Sequence, residues 1–277
     1  MNSEAKKRLF FKDKVVVITG SSKGIGKVTA KLLCTYGARV IINGRNADTV
    51  NATLAELQSA GFEARGAAYD VSTSEGSRKL IEESLSYFGR IDILVNNAGM
   101  SMRGNIDELD PLVFEKMFCV NVMGSVYPLI YALPHIKTSQ GSVVFVSSVA
   151  GIRGLPGLSA YCSSKMALRA IAESMRLELR EDNVHTGLIY VGYAKNEAGK
   201  LYMSSDGSFK PIRERKNIKT LSQEEIALAI MDNIYRRNFI MVLSGLGRLN
   251  SLMQRISPQF VEWALLKNMK KIKQMSR

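Results

Sequence analysis

A run of β-branched residues ending in a glycine cluster constrains this chain more than any other feature. Lys14-Val15-Val16-Val17-Ile18-Thr19 has four consecutive apolar residues in its middle, so it reads as a strand covered on both faces. It runs straight into Gly20-Ser21-Ser22-Lys23-Gly24-Ile25-Gly26, and a helical pattern follows over residues 25–36. A doubly covered strand followed by a helix predicts a parallel sheet with helices packed on each side.

The rest of the chain repeats that alternation. Strand-like runs lie at 39–43, 64–69, 91–96, 142–147, 185–191 and 239–243, for about seven strands in all. Helical patterns occupy 48–60, 74–88, 111–134, 159–181 and 222–236, the last opened by a capping box of Ser222 and Glu225. The predicted fold is therefore α/β, a doubly wound Rossmann-type parallel sheet with helices on both faces and a C-terminal helical extension. A length of 277 residues suits one such domain, placed at 1–245, with an appendage at 246–277. Residues 193–220 are rich in Lys, Ser, Gly and Asn with weak periodicity, and read as a long loop acting as a lid.

Composition narrows the class further. The chain is 46% hydrophobic and 23% charged, as folded proteins are. Cys34, Cys119 and Cys162 have neither disulfide nor metal spacing, so a reduced compartment and no metal are expected. The basic N-terminal stretch lacks the apolar core of a secretory signal, and no run that crosses a bilayer is expected. A cytoplasmic protein, at most peripheral to a membrane, is expected. The net charge is +13, and from residue 210 onward 14 Lys/Arg face 5 Asp/Glu. Without zinc-finger spacing or aromatic–basic alternation, that excess does not point to nucleic acid.

The glycine turn and the helix after it suit a pyrophosphate, through close backbone approach and the positive end of the helix dipole. Its spacing is not G-x-G-x-x-G; the flanking strand and helix carry the reading. Ribose specificity is read after the second strand, in Asn43-Gly44-Arg45-Asn46. No carboxylate occurs there before Asp48, while Arg45 and Lys23 suit a 2′-phosphate, which predicts NADP(H). Tyr161 and Lys165 are four apart and share a helix face. A cation about 4 Å from a phenol contributes roughly 4 kcal/mol at an effective dielectric of about 20, enough to draw the phenol towards neutrality. Ser148, at the end of a strand, can bind a substrate oxygen.

Together these pieces resemble the short-chain dehydrogenase/reductase family over residues 15–191. The motifs come in order: Thr19-Gly20-Ser21-Ser22-Lys23-Gly24-Ile25-Gly26, Asp70-Val71, Asn96-Asn97-Ala98-Gly99, Asn121, Ser148 and Tyr161-Cys162-Ser163-Ser164-Lys165. The resemblance implies that Tyr161 is the general acid/base, that Lys165 lowers its pKa and binds the nicotinamide ribose, and that Ser148 polarises the carbonyl. It implies that Asn121 organises a water linking Lys165 to solvent. Asp70 and Val71 would flank the adenine, and Asn97, Ala98 and Gly99 would line the middle of the cofactor. Gly20, Ser22, Lys23, Gly24, Ile25, Gly26, Arg45 and Asn46 complete the expected cofactor set. One departure is Val191-Gly192 where the family shows Pro-Gly, with Asn196 where it shows threonine.

The ending also departs from compact relatives. Leu249, Leu252, Met253 and Ile256 share a helical face, and after Pro258 comes Phe260-Val261-Glu262-Trp263-Ala264-Leu265-Leu266, then Lys267, Lys270, Lys271 and Lys273. Three readings stay open: packing over the pocket or on a second subunit, attachment to an anionic membrane, or a partner-protein site. His135 and His185 are read as structural. The leading function is NADP(H)-dependent reduction of an apolar ketone or aldehyde, lipid- or steroid-like, by a homodimer. Reduction of 3-oxoacyl groups on acyl carrier protein and a non-catalytic NADP-binding sensor or scaffold are the alternatives.

Overall fold

The computed structural model describes residues 3–195, 197, 199–212 and 220–269. In chain order the elements are α1 (Ser3–Phe11), β1 (Val15–Ile18), α2 (Gly24–Thr35), β2 (Arg39–Gly44), α3 (Ala47–Ser59), β3 (Ala64–Ala68), α4 (Ser74–Phe88), β4 (Ile93–Asn96), β5 (Met102–Arg103), α5 (Pro111–Phe118) and α6 (Gly124–Thr138). Then come β6 (Ser142–Ser148), α7 (Ser159–Glu178), β7 (His185–Val191), β8 (Leu201–Ser204), β9 (Phe209–Pro211), α8 (Gln223–Arg236), β10 (Ile240–Val242), α9 (Gly245–Ile256) and α10 (Pro258–Lys267). Seven strands form one parallel sheet in the order β10-β7-β6-β4-β1-β2-β3. The expected α/β Rossmann-type architecture is thus present. The connections diverge on either side of the β1–β4 pair, and a doubly wound sheet opens its ligand crevice at that switch point.

β1 shows why the sheet is sandwiched. Val16 and Ile18 point into a core shared with Leu33 of α2 and Ile226, Ile230 and Ile234 of α8. Val17 points the other way, among Leu80 of α4, Leu129 of α6 and Leu168 of α7. All four strand residues are fully buried, each side chain contributing about 1.5–3 kcal/mol by leaving water. A polar residue at any of them would face a packed layer.

Three elements differ from the sequence reading. α1 was not expected; it is held by Phe11, buried at its end, by Phe10 against Tyr235 with ring centroids 5.4 Å apart, and by a Lys7–Asp232 ion pair. The 111–134 helix is interrupted by a π-helical turn, Cys119–Met123. Taken whole, Pro111–Thr138 is long and apolar enough to cross a membrane, contrary to the expectation that no such run exists. Its apolar residues serve the sheet instead, with Leu129, Ala132 and Ile136 buried in the second core. Finally, the stretch expected to be a structureless lid contains a hairpin, β8–β9, which pairs through β8 with β5 in a separate three-stranded sheet. The capping box at Ser222 and Glu225 forms as expected. His185 is buried in β7 with Nε2 3.1 Å from Asn238 O, and burial holds its pKa down to about 4.

Candidate active site

The turn after β1 depends on its glycines. Gly20 and Gly24 have φ of +62° and +59°, a region that side chains rarely adopt. A Cβ on Gly26 would lie 2.6 Å from both Asn97 Nδ2 and Gly20 O, so α2 begins directly against the turn. Lys23, the exposed N-cap residue, makes no side-chain capping bond. The positive end of α2 therefore faces the crevice without a cap from its own first residue. Ser22 rests on the end of β2, where a Cβ on Gly44 would meet its Oγ at 2.6 Å. Ile25 packs against the first core.

Buried polar side chains lock this turn to its neighbours. Asn43 Oδ1 accepts from Gly20 N at 3.2 Å, while Nδ2 donates to Ala67 O and Tyr69 O, each at 3.1 Å. Across the switch point, Thr19 Oγ1 accepts from Asn97 N at 3.1 Å and Ala98 N at 3.0 Å. Asn97 Nδ2 donates back to Thr19 O and Gly20 O, each at 2.9 Å. Gly20 also lies so close to Ala98 that a Cβ would come within 2.8 Å of its Cα.

Beyond β2, Arg45 is exposed, and its charge reaches the Asp70 carboxyl. Burial pushes that carboxyl up, but hydrogen bonds from Ser72 together with Arg45 and Lys116 outweigh it and hold it below its ordinary value. Asp70 Oδ1 accepts from Ser72 N at 2.9 Å and Ser72 Oγ at 2.7 Å, and the next residue, Val71, is buried. Asn46, expected at the cofactor, has its side-chain oxygen engaged as the N-cap of α3, accepting from Thr49 N at 2.9 Å.

Of the four residues expected to act together, Ser148 and Tyr161 bond to each other, and Asn121 and Lys165 meet beneath Gly99. A Cβ there would lie 3.1 Å from Asn121 Oδ1 and 3.2 Å from Lys165 Nζ. Asn121 sits within the π-helical turn, a departure common at functional sites. Its Oδ1 accepts from Met100 N at 2.8 Å, and its Nδ2 donates to Met100 O and Ser164 Oγ, each at 3.0 Å. Lys165 is buried and donates to Val146 O at 3.1 Å. Burial, with the charge of Lys200, brings its ammonium down to about 8. Tyr161 shares a hydrogen bond with Ser148, whose Oγ also accepts from Ala150 N at 3.2 Å. Burial pushes Tyr161 above its ordinary value and the Ser148 bond opposes it; Lys165, expected to draw the phenol down, is not among the causes of the shift. Desolvation is the largest cause at both groups.

On its other side Tyr161 packs against an apolar cluster of Met102, Val113, Met117, Ala160 and Met203, with Met100 and Phe114 beside it. Met203 comes from β8 and Met102 from β5, so the hairpin sets this wall.

The model of the short chain dehydrogenases matches residues 14–204. The chain is 32% identical to a 3-ketodihydrosphingosine reductase of Bos taurus over 239 residues, 81% of this chain and 69% of the relative. It is 29% identical to an 11-beta-hydroxysteroid dehydrogenase 1A of Arabidopsis thaliana over 259 residues, 90% and 74% of the two chains. The fold matches a short chain dehydrogenase/reductase of Burkholderia phymatum in complex with NAD, with TM-score 0.79, 22% identity, and 90% and 95% of the chains covered.

This chain is a short-chain dehydrogenase/reductase. It is an oxidoreductase of that family, whose members bind a nicotinamide cofactor. The residues present suit such a cofactor: the glycine turn leaves a cradle that side chains would fill, and α2 offers its positive end to a pyrophosphate. Of the departures in this short-chain dehydrogenase/reductase, Gly192 packs on Ser244, with a Cβ 3.0 Å from its side chain, whereas Asn196 lies outside the described residues.

Several residues of the site escaped the sequence reading. Asn43 was placed at the end of the second strand without a role, yet it is buried and joins three strands; nothing in its neighbours announces a buried amide. Thr19 and Ser164 are likewise partners of expected residues, visible only once the strands are adjacent. Glu197 places its carboxylate over the turn, 3.0 Å from where a Cβ on Gly24 would stand. The β8–β9 hairpin did have a signal: Asp206-Gly207 between apolar runs, with Gly207 at φ +82°.

Proposed function

We propose that this protein is an NADP(H)-dependent oxidoreductase that reduces the ketone or aldehyde of an apolar, lipid- or steroid-like substrate, or oxidises the matching alcohol. The observation that carries the reading is the position of Tyr161. It bonds to Ser148 on one side and packs against the methionine-lined cluster on the other, and it shares α7 with Lys165, whose ammonium meets Asn121 at Gly99. A carbonyl oxygen held by Ser148 Oγ would then meet the phenol, while the apolar wall takes the rest of the molecule. The likeness to a 3-ketodihydrosphingosine reductase and an 11-beta-hydroxysteroid dehydrogenase supports the same substrate class.

The reduced nicotinamide, when bound, supplies the hydride. Ser148 orients and polarises the carbonyl, and Tyr161 gives the proton to its oxygen. A phenol raised by burial stays protonated at neutral pH, as a general acid in reduction must. Lys165, poised at about 8, stabilises the phenolate that remains and binds the ribose. Asn121 acts as a positioning residue, clamping Met100 and Ser164 beside Lys165. Gly20, Ser22, Lys23, Gly24, Ile25, Gly26, Asn97, Ala98 and Gly99 would line the dinucleotide, with Asp70 and Val71 at the adenine. The exposed Arg45 and Lys23 favour a 2′-phosphate.

In this reading residues 1–245 are the catalytic domain. Exposed Ile130 on α6 and exposed Met166 and Leu177 on α7 favour a homodimer. The protein is cytoplasmic, with peripheral membrane contact through residues 246–277.

The test is NADPH oxidation over a panel of ketones, for the wild type and Tyr161→Phe. Turnover is expected to fall about a thousandfold in the variant with cofactor binding kept; equal rates for both would end the enzyme reading. Arg45→Asp is expected to shift preference from NADPH towards NADH, and a wild type that prefers NADH would refute the cofactor assignment.

A further inference from the structure

α9 and α10 turn their apolar residues outward. Each helix buries one residue, Gly247 and Val261. Leu249, Leu252 and Ile256 on α9, and Phe260, Trp263 and Leu266 on α10, are each more than half exposed. Their spacings of three and four make a stripe on each helix. A segment packed down over the pocket would bury these side chains.

The outward posture is built into the contacts beneath. A Cβ on Gly247 would lie 2.8 Å from Val149 Cγ1, so α9 begins on the turn next to Ser148. Arg153, in the loop that leads from Ser148 to Tyr161, donates from Nη1 to Gln254 Oε1 at 2.7 Å and to Pro258 O at 3.1 Å. That bond pair holds the junction of the two helices to the catalytic loop.

Charge identifies what covers the stripe. Residues 246–277 contain seven Lys/Arg and one Asp/Glu. Trp263 stacks on Phe260 with ring centroids 5.7 Å apart, and Lys267 Nζ lies 5.1 Å from the Trp263 ring centre. Aromatic rings with lysine beside them suit the level of lipid headgroups. Pairing with a second copy would bring two strongly cationic surfaces together. Of the expected cations, Lys270, Lys271 and Lys273 lie outside the described residues.

We infer that the α9–α10 stripe is a docking face for an anionic lipid bilayer, tied through Arg153 and Val149 to the loop that bears Ser148. It deepens the peripheral contact proposed above by naming the face, the lipid charge and the tether. Docking stands by itself; its benefit, delivery of an apolar substrate from the bilayer, rests on the proposed substrate class.

Trp263 is the chain's one tryptophan, so its emission reports on this face alone. The full-length protein is mixed with vesicles of phosphatidylcholine, with or without phosphatidylglycerol. The expected result is a blue shift with the anionic vesicles and quenching by brominated acyl chains, both reversed by salt. Arg255→Gln with Lys267→Gln should weaken binding to anionic vesicles by about thirtyfold. Leu249→Glu with Leu266→Glu should abolish flotation while melting temperature and NADPH oxidation with a water-soluble ketone stay unchanged. No shift with anionic vesicles, or undiminished flotation of the Leu249→Glu/Leu266→Glu variant, would overturn the inference. So would an emission shift that follows protein concentration without lipid, because a second copy would then be the occupant. The vesicle readouts need no turnover, so an inactive enzyme would remove the reductase reading and leave docking intact.

Discussion

Around the β1–α2 turn, polar side chains lie inside and are matched: Asn43 joins three strands, and Thr19 and Asn97 bond across the switch point. On α9 and α10 the arrangement is reversed, with apolar side chains outside and a polar clamp, Arg153, underneath. The first region is rigid because unmatched buried amides are costly and every bond there restricts another. The second is a surface that gains by burial only when something else arrives. One end of the molecule holds a shape, and the other offers an interface.

Substitution at the rigid end should break this contrast most. Gly26→Ala forces a methyl into Asn97 and Gly20 O and is expected to lower stability by about 3 kcal/mol, with NADPH affinity falling alongside; urea denaturation and cofactor titration measure both. A near-neutral result would mean that the turn is loose.

The next effect is a pH dependence. Lys165 is charged below about 8 and neutral above it. Reduction that needs the ammonium should fall about tenfold per pH unit above that point. Stability follows the opposite sense: from about 8 to 10.5 the unfolded chain holds a proton that the folded one has released, so stability rises with pH in that window. A flat rate profile from pH 7 to 10 would remove Lys165's charge from the mechanism.

Glu197 sharpens the comparison at the rim of the rigid region. A pyrophosphate bound at the turn would meet its carboxylate, so Glu197→Gln is expected to tighten NADPH binding by about fivefold. Unchanged or weaker affinity by calorimetry would count against that contact. The smallest effect belongs to the outward stripe. Leu252→Ser, at 53% exposure, should change stability by no more than about 0.5 kcal/mol in lipid-free solution. A large loss would show that the side chain is packed after all.

The central strands of the sheet were legible in the sequence, because they are buried on both faces and their apolar runs have no other reading. The capping box at Ser222 was legible for a similar reason, since its two residues are local. The π-helical turn at Asn121 was not, because 111–134 has an unbroken apolar pattern and the irregularity is set by bonds to Met100 and Ser164. The β8–β9 hairpin was overlooked although Asp206-Gly207 marked its turn; polar composition around it obscured a short pattern. α1 is held by rings and an ion pair from distant helices, partners that a local reading does not contain.

What this sequence determined by itself was order: strand, glycine turn and helix, then motifs at intervals that placed Ser148, Tyr161 and Lys165 on known elements. The order of elements rests on short-range rules of periodicity and backbone freedom, and the motif intervals on the resemblance to the family. Only the tertiary structure decided the balance at Tyr161, where burial outweighs the Ser148 hydrogen bond, and the direction in which the last helices face. Both depend on how much water each group loses. Solvent exposure is a property of the packed whole, and neighbours in sequence do not set it.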